Sequence, residues 1–431
     1  MGEHIFTGFG FGPIQGGLFA KEAFESGNFP RLAVAEIDAE LVQAVRANGG
    51  GYYVNIAKSD GIESLKICGV ELLNPKVQAD LRTLLEVLAQ STEIATCLPS
   101  VAFYEFGQPD NVASWIAQGL KNSRAGATIV YAAENNNHAA EILEAAVVRR
   151  LGAPLRGGVQ FLNTVIGKMS RVVSDPEEIA KLRLKTVAPG LERAFLVEQF
   201  NRVLVSRARI PDFRPGIEVF VEKDDLLPFE EAKLYGHNAI HSLMGFIGAV
   251  KGLVSMTELR NDEIIMRIGR DAFLRESGPA LVGKYSHLGD GLFTEAGFSE
   301  YVEDLLERMT NPYLNDTVSR VTRDVVRKLE MDGRIFGTMR LALEYGIEPK
   351  NMALGAMAGI GVLLKKAREY DLPASLRFGN WRTLERAQIA QILNWLWMGR
   401  TCEFADRLIE CVRNARGSLE ILVGDPPAEL N

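Results

Sequence analysis

Lys233, Asn238 and His241 stand at the head of an apolar stretch, in the run Lys233-Leu-Tyr-Gly-His237-Asn238-Ala-Ile-His241. In an α-helix, positions five and eight residues beyond Lys233 fall within about 140° of it around the axis, so the three polar side chains can border one small ligand. A desolvated lysine amine can take the proton of a hydroxyl group, and asparagine amides can steady the partly negative oxygen left behind. Hydride removal from a secondary alcohol requires both. The spacing equally suits a surface lysine at a helix start, with Asn238 and His241 satisfying local polar contacts, and the segment alone does not choose between the two.

A second group of residues points to a bound dinucleotide. Gly10-Phe-Gly12-Pro-Ile-Gln15-Gly16-Gly17 follows a short apolar run, and its first two glycines permit a tight turn and close backbone approach to a pyrophosphate at a helix N-terminus. Gln15 replaces the third fingerprint glycine. About twenty residues beyond the glycines, Ala35-Glu36-Ile37-Asp38 ends a second apolar run and places an acid where ribose hydroxyls would lie. Glu36 there would favour NAD and repel the 2′-phosphate of NADP. The plainer alternatives are a structural glycine turn and a solvated carboxylate. In a third group, Arg320, Arg323 and Arg327 are spaced to share one helix face, with Lys328 beside them. That face could meet a phosphate or a row of hydroxyls, or could pair with Asp316, Asp324 and Glu330.

Residues 4–8, 10–24 and 31–37 read as strand, glycine turn with helix, and strand. Apolar runs at 93–98 and 127–133, separated by helical patterns at 77–88 and 112–120, continue the alternation of a parallel sheet covered by helices. Between 157 and 221 short β-like segments such as VQFLN, RAFLVEQF and IEVFVE extend or cap that sheet. From about Pro228 the pattern is helical, as at 239–254 and 352–370. The expected organisation is an α/β dinucleotide-binding (Rossmann) domain with a sheet extension at 1–230, then a mainly α-helical substrate and catalytic domain at 231–431, ending in a loose Gly-Asp-Pro-Pro tail near 424–427.

Composition narrows the partners. A formal charge of -7 spread over 431 residues offers no basic field for a nucleic-acid backbone. No apolar run is long enough to cross a bilayer, and the start MGEHIFTGFGFG has no signal-peptide core, so a cytoplasmic location is expected. Four cysteines without a CxxC pair, and five histidines without HxH or HExxH, argue against disulfides and zinc. Any hydride chemistry would then run without a metal.

The pattern K-x4-N-x2-H before an apolar helix resembles the signature of the polyol-specific long-chain dehydrogenases, the family of mannitol 2-dehydrogenase and mannitol-1-phosphate 5-dehydrogenase. Ala95-Thr96-Cys97-Leu98-Pro99 looks like that family's loop near the nicotinamide. The stretch from Asn311-Pro-Tyr through Arg327-Lys328-Leu329, with Leu343-Glu-Tyr-Gly346, is similar to its mannitol-1-phosphate branch. The resemblance implies a catalytic base at Lys233, with Asn238 and Asn135 binding the reacting oxygen and His241 contacting substrate. It further implies NAD bound by Gly10, Gly12, Gly17, Glu36 and Thr96, and a polyol or sugar phosphate bound by Arg320 and Lys328, with Asn311 as a further contact. Two departures stand out: Gly167-Lys168 where the family commonly has an Asp-Arg pair, and His237, whose ring would lower the lysine pKa or reshape the pocket. The same lysine set would also serve an unphosphorylated hexitol or a keto-hexuronate, and a non-catalytic dinucleotide sensor is the alternative of another class.

Overall fold

The short apolar runs form twelve strands among the described residues: β1 (Ile5–Phe9), β2 (Arg31–Ala35), β3 (Tyr52–Ala57), β4 (Ile62–Ile67), β5 (Val70–Leu73), β6 (Glu93–Thr96), β7 (Thr128–Ala132), β8 (Val159–Ile166), β9 (Ser170–Val173), β10 (Ala194–Glu198), β11 (Val203–Ser206) and β12 (Phe220–Lys223). The computed structural model describes residues 4–107, 109–200 and 202–424; the expected loose tail lies, beyond Gly424, outside them. The chain divides into units Met1–Leu227 and Pro228–Asn431, beside the boundary drawn near residue 230.

In the first unit an eight-stranded sheet runs β12-β11-β8-β7-β6-β1-β2-β5. Its strands β5, β2, β1, β6, β7 and β8 are parallel throughout. That order is the doubly wound dinucleotide-binding arrangement, whose direction of winding reverses between β1 and β6. β6 and β7 are buried at every residue, which demands cover on both faces. One face packs against the helices Gln78–Leu88, Val112–Lys121 and Ala139–Leu151. β11 runs antiparallel to β8, and β12 pairs with β11, so part of the 157–221 segment extends the sheet.

The remainder does something the sequence reading missed. β9 and β10 join a hairpin, β3–β4, in a separate four-stranded sheet ordered β4-β3-β10-β9. The hairpin had a legible signal, since Asp60-Gly61 lies between its strands and the turn closes by a hydrogen bond from Lys58 N to the Gly61 carbonyl (2.8 Å). Tyr52, Val54, Phe195 and Val197 of this sheet share a core with Leu18 and Phe19 on the second face of the main sheet.

The helix after the glycine turn begins with a π-helical turn, Gln15–Phe19, before Ala20–Ser26. Its packing accounts for the odd fingerprint. The Gln15 side chain is fully buried and lies over Gly8, where a Cβ would come within 2.2 Å of the Gln15 amide nitrogen. The small residue that close helix-to-strand contact needs is therefore in the strand, at Gly8, and the bulk is in the helix. Gly17 faces the other way, where a Cβ would lie 2.6 Å from Val197 Cγ1.

The second unit is helical. Lys350–Lys365 is buried at every residue from Met352 to Leu363, as expected of a helix surrounded by others. It crosses Ala239–Lys251 closely, because a Cβ at Gly355 would meet Leu243 Cδ1 at 2.5 Å. The expected single Arg face is not present. Val318–Val321 and Val325–Lys328 are separate short turns, and between them Asp324 adopts a left-handed conformation (φ 54°), so Arg320 and Arg327 do not share a helix.

Filling the contact beneath the dinucleotide helix should be costly. Gly17→Ala is expected to lower unfolding free energy by about 1–3 kcal/mol in urea titrations, and adding Val197→Ala should recover part of the loss, since overpacking is the cause.

Candidate active site

At the reversal point of the main sheet, a cavity of about 540 Å³ opens at the carboxyl ends of β1, β2 and β6. Gly10 takes φ +79° and sits so close to the Cys97 carbonyl that a Cβ would lie 2.8 Å from it. A Cβ at Gly12 would meet nothing within 4 Å, so the backbone there borders open space. Both line the cavity, as does Glu36. Glu36 accepts hydrogen bonds from Phe11 N (2.7 Å), Ile37 N (2.7 Å) and Asp38 N (2.9 Å). A carboxylate offers about four acceptor positions, so capacity remains for a ribose hydroxyl. Asp38, the other acid of that strand end, is committed to Arg193 (2.6 Å) and to the N-terminus of helix Ala39–Ala47.

Two expected cofactor residues sit elsewhere. Gly17 is a packing glycine against Val197 and does not line the cavity. Thr96 is wholly buried, its hydroxyl donates to Glu134 Oε2 (2.8 Å), and it does not line the cavity. Glu134 is the residue the sequence reading passed over here. Besides Thr96 it accepts from Leu98 N (2.8 Å) and from the Tyr104 hydroxyl. Burial raises its pKa although all three donors favour the carboxylate. It thereby fastens the end of β6, the loop at Leu98 and the short 3₁₀ turn Val101–Glu105 to the residue preceding Asn135.

In the second unit, Lys233 and Asn238 lie in a π-helical segment, Ala232–Asn238, that continues into Ala239–Lys251. With i→i+5 hydrogen bonding, residues five apart stack one turn above the other. Lys233 and Asn238 are thus closer in angle than the α-helical spacing predicts. Burial, helped by the neighbouring Arg334 charge and opposed by Glu230, lowers the Lys233 pKa to about 8. His237 does not act on it as expected: burial holds its own pKa well below the usual value, so its ring is neutral. Burial likewise brings His241 down to about 4, despite Asp316 nearby. His241 Nε2 is buried without a hydrogen bond, 3.6 Å from Asp316 Oδ2.

Asp316 is held mainly by Arg320, whose Nε (2.5 Å) and Nη2 (2.7 Å) grip both oxygens. Burial alone would raise the Asp316 pKa, but Arg320 and His241 hold it below the ordinary range. Lys328 is buried, donates to the Arg323 carbonyl, and falls to about 7 through burial and the Arg334 charge. Arg334, at the start of helix Arg334–Glu344, carries no signal in the K-x4-N-x2-H pattern or in the Arg320–Arg327 spacing. Lys233, Asn238, His241, Arg320 and Lys328 all fall in the second unit, and Asn135 falls in the first, directly after Glu134.

Residues 225–371, which contain the lysine segment and the Arg320–Arg334 stretch, match the family model of the mannitol dehydrogenase C-terminal domain. Mannitol-1-phosphate 5-dehydrogenase of Brevibacillus brevis is 26% identical over 376 residues, covering 86% of this chain and 90% of that protein. The protein of the same name from Arthrobacter sp. is 31% identical over 287 residues, 65% of each chain. The chain is thus similar to the mannitol dehydrogenase family, in its residues 225–371 by the family model and over most of its length by these relatives. Solved structures agree in fold: mannitol 2-dehydrogenase of Pseudomonas fluorescens, in complex with NAD and D-mannitol, superposes with a TM-score of 0.70 at 17% identity, covering 98% of this chain and 95% of that one. A substrate-free D-sorbitol dehydrogenase gives 0.76 at 15% identity, over 97% and 94%.

Within the mannitol dehydrogenase family frame, the Gly167-Lys168 departure has a structural use here. Lys168 is buried and donates to the carbonyls of Glu198 (2.6 Å) and Phe200 (2.7 Å), tying β8 to the end of β10. Among the described residues no group of three or more His, Cys, Asp or Glu side chains is arranged to hold a metal, and no helix is long and apolar enough to cross a membrane.

Glu134 satisfies three donors with two oxygens. Glu134→Gln, which exchanges one acceptor oxygen for a donor, is expected to leave a buried donor unpaired and to cost about 1–3 kcal/mol in chemical denaturation.

Proposed function

We propose that the protein is an NAD-dependent oxidoreductase interconverting a hexitol phosphate and a ketohexose phosphate, of the mannitol 1-phosphate and fructose 6-phosphate type, with Lys233 as general base and without a metal. The observation that carries this reading is a lysine brought by burial to a pKa of about 8, one π-turn from Asn238, in a chain similar to this family. A base works best when its pKa lies near the working pH. The phosphorylated substrate is supported by the names of the relatives in Brevibacillus, Arthrobacter and the fungus Aureobasidium melanogenum.

When bound, the nicotinamide would supply the hydride acceptor. The chain's own residues divide the rest. Gly10 and Gly12 leave room for the pyrophosphate, and Glu36 would accept from the adenosine ribose while repelling a 2′-phosphate. Lys233, as the neutral amine, takes the hydroxyl proton of the carbinol. The Asn238 amide donates to the oxygen as it gains charge, a role the resemblance also gives to Asn135. His241, neutral and with an unused ring nitrogen, would meet a neighbouring hydroxyl, and Arg320 and Lys328 the remainder of the chain.

The pH dependence follows in sign. Alcohol oxidation needs the free amine, so kcat/KM for mannitol 1-phosphate should rise with pH to a plateau above about 8. Ketose reduction needs the ammonium as proton donor and should fall across the same range. Lys233→Ala is expected to lose about 10²–10⁴-fold in turnover and to abolish this ionisation. The test is NADH consumption with fructose 6-phosphate beside fructose and a keto-hexuronate; activity with the phosphate ester in wild type only supports the reading, and an active, pH-dependent Lys233→Ala would refute the base. In parallel, Glu36→Ser should narrow the preference for NAD over NADP by about tenfold or more, a tenfold step being about 1.4 kcal/mol.

A further inference from the structure

Arg334 is placed where a guanidinium is poorly served. It occupies the first turn of helix Arg334–Glu344, behind Gly333, at the positive end of the helix dipole, where a cation is disfavoured. Its Nη1 donates to Ser242 Oγ (3.2 Å), while its buried Nε makes no hydrogen bond. Among the described residues no carboxylate pairs with it, and the acids around it are committed. Asp316 is gripped by Arg320, Asp324 pairs with Arg327, and Asp332 pairs with Arg340 and Arg400. Burial and the Arg327 charge bring even this guanidinium down to about 10.

The surroundings concentrate positive charge. Arg334 acts electrostatically on Lys233, His237, His241 and Lys328 alike. Its position is fixed from two sides. The Thr338 hydroxyl, one turn on, lies within hydrogen-bond distance of both the Arg334 and Tyr235 carbonyls (2.6 and 3.2 Å), and Ser242, which receives Nη1, donates in turn to the Asn238 carbonyl (2.8 Å). A cation held firmly beside the reactive segment, with donors in hand and no counter-charge beyond that of Asp324, which Arg327 shares, is stabilised further when an anion arrives with the ligand.

We propose that Arg334 is the residue that grips the phosphate group of the substrate and so selects a sugar phosphate over the free sugar. This rests on the polyol-phosphate reading above. A guanidinium presents five donors in a fixed fork suited to two phosphate oxygens at once, which a lysine in its place does not reproduce. Phosphate and carbonyl lie at opposite ends of fructose 6-phosphate, so an anion held at Arg334 would orient the chain along the segment that carries Lys233 and Asn238.

The experiment uses the full chain loaded with NADH. Steady-state constants for fructose 6-phosphate and fructose are measured in wild type, Arg334→Met and Arg334→Lys, together with calorimetric titration of inorganic phosphate; circular dichroism checks that each variant folds. Arg334→Met should raise KM for fructose 6-phosphate by about 100-fold while changing that for fructose by less than about threefold, and should lose phosphate binding; Arg334→Lys should fall between. If KM for both sugars moves together, or phosphate still binds to Arg334→Met, the assignment is overturned while the oxidoreductase reading stands; a shift in kcat common to both sugars reports only the loss of the Arg334 charge beside Lys233. If wild type reduces neither sugar but binds phosphate in an Arg334-dependent way, the anion site stands and the substrate reading fails. Wild type that neither binds phosphate nor prefers the phosphorylated sugar overturns both. Should Arg334→Met not fold, the comparison of wild type with Arg334→Lys decides, a proportionate change for the two sugars counting against the proposal.

Discussion

A lysine that is to give up its proton near neutral pH, as proposed for Lys233, must first be kept out of water, because solvation is what holds an ammonium charged up to its ordinary pKa. The packing of the second unit keeps Lys233 buried. Lys233 sits in a helical segment continuous with Ala239–Lys251, which is in turn crossed by Lys350–Lys365, buried from Met352 to Leu363. The same desolvation keeps His237 and His241 neutral, so the polar groups around the lysine are donors and acceptors without charge of their own. Charge enters from Glu230 and Arg308, from Arg320, which is balanced by Asp316, and from Lys328 and Arg334, which are not balanced in that way.

The first unit meets a different constraint, that of bringing backbone close to a bulky anion without clash. Gly10 needs its glycine for conformation at the turn; Gly12 borders open space, and Gly16 and Gly17 serve the contact with the second sheet. The usual third fingerprint glycine is dispensable because its partner strand carries Gly8, which gives the space to the buried Gln15 side chain. Exchange of large and small between two facing positions conserves volume, the condition under which packed interiors tolerate substitution best.

The fold was legible where periodicity and turn chemistry agree with tertiary packing. The strand-glycine-helix opening, the buried apolar runs at β6 and β7 and the change to helix at Pro228 all follow from local pattern. The candidate site was legible in residue type more than in placement. Lys233, Asn238 and His241 were found by spacing, but their angular relation was computed for an α-helix and the segment is π-helical, a choice that nothing in a single sequence marks. Thr96 looked like a loop residue near the cofactor, yet its hydroxyl is turned inward to a glutamate 38 positions away in sequence. Arg334 was invisible because what distinguishes it is a missing carboxylate partner among the described residues, a property of the neighbours and not of the residue.

The four-stranded sheet carries a consequence for the order in which the chain can fold. Its inner pair joins β3 to β10 in parallel, with Val54 opposite Phe195, so the first-made hairpin waits for a strand synthesised much later. Until Val197 has emerged, the turn holding Gly16 and Gly17 has no surface to rest on, and the nucleotide-binding half is left with an open apolar face. Pairings this distant pay the loop-closure entropy before any contact rewards it, which slows folding and lengthens exposure of unpaired edges. The nucleotide-binding turn comes near the start of the chain, yet its scaffold is completed among the last parts of its unit, and a nascent chain of the first hundred and fifty or so residues would be one that chaperones, and not the fold itself, keep soluble.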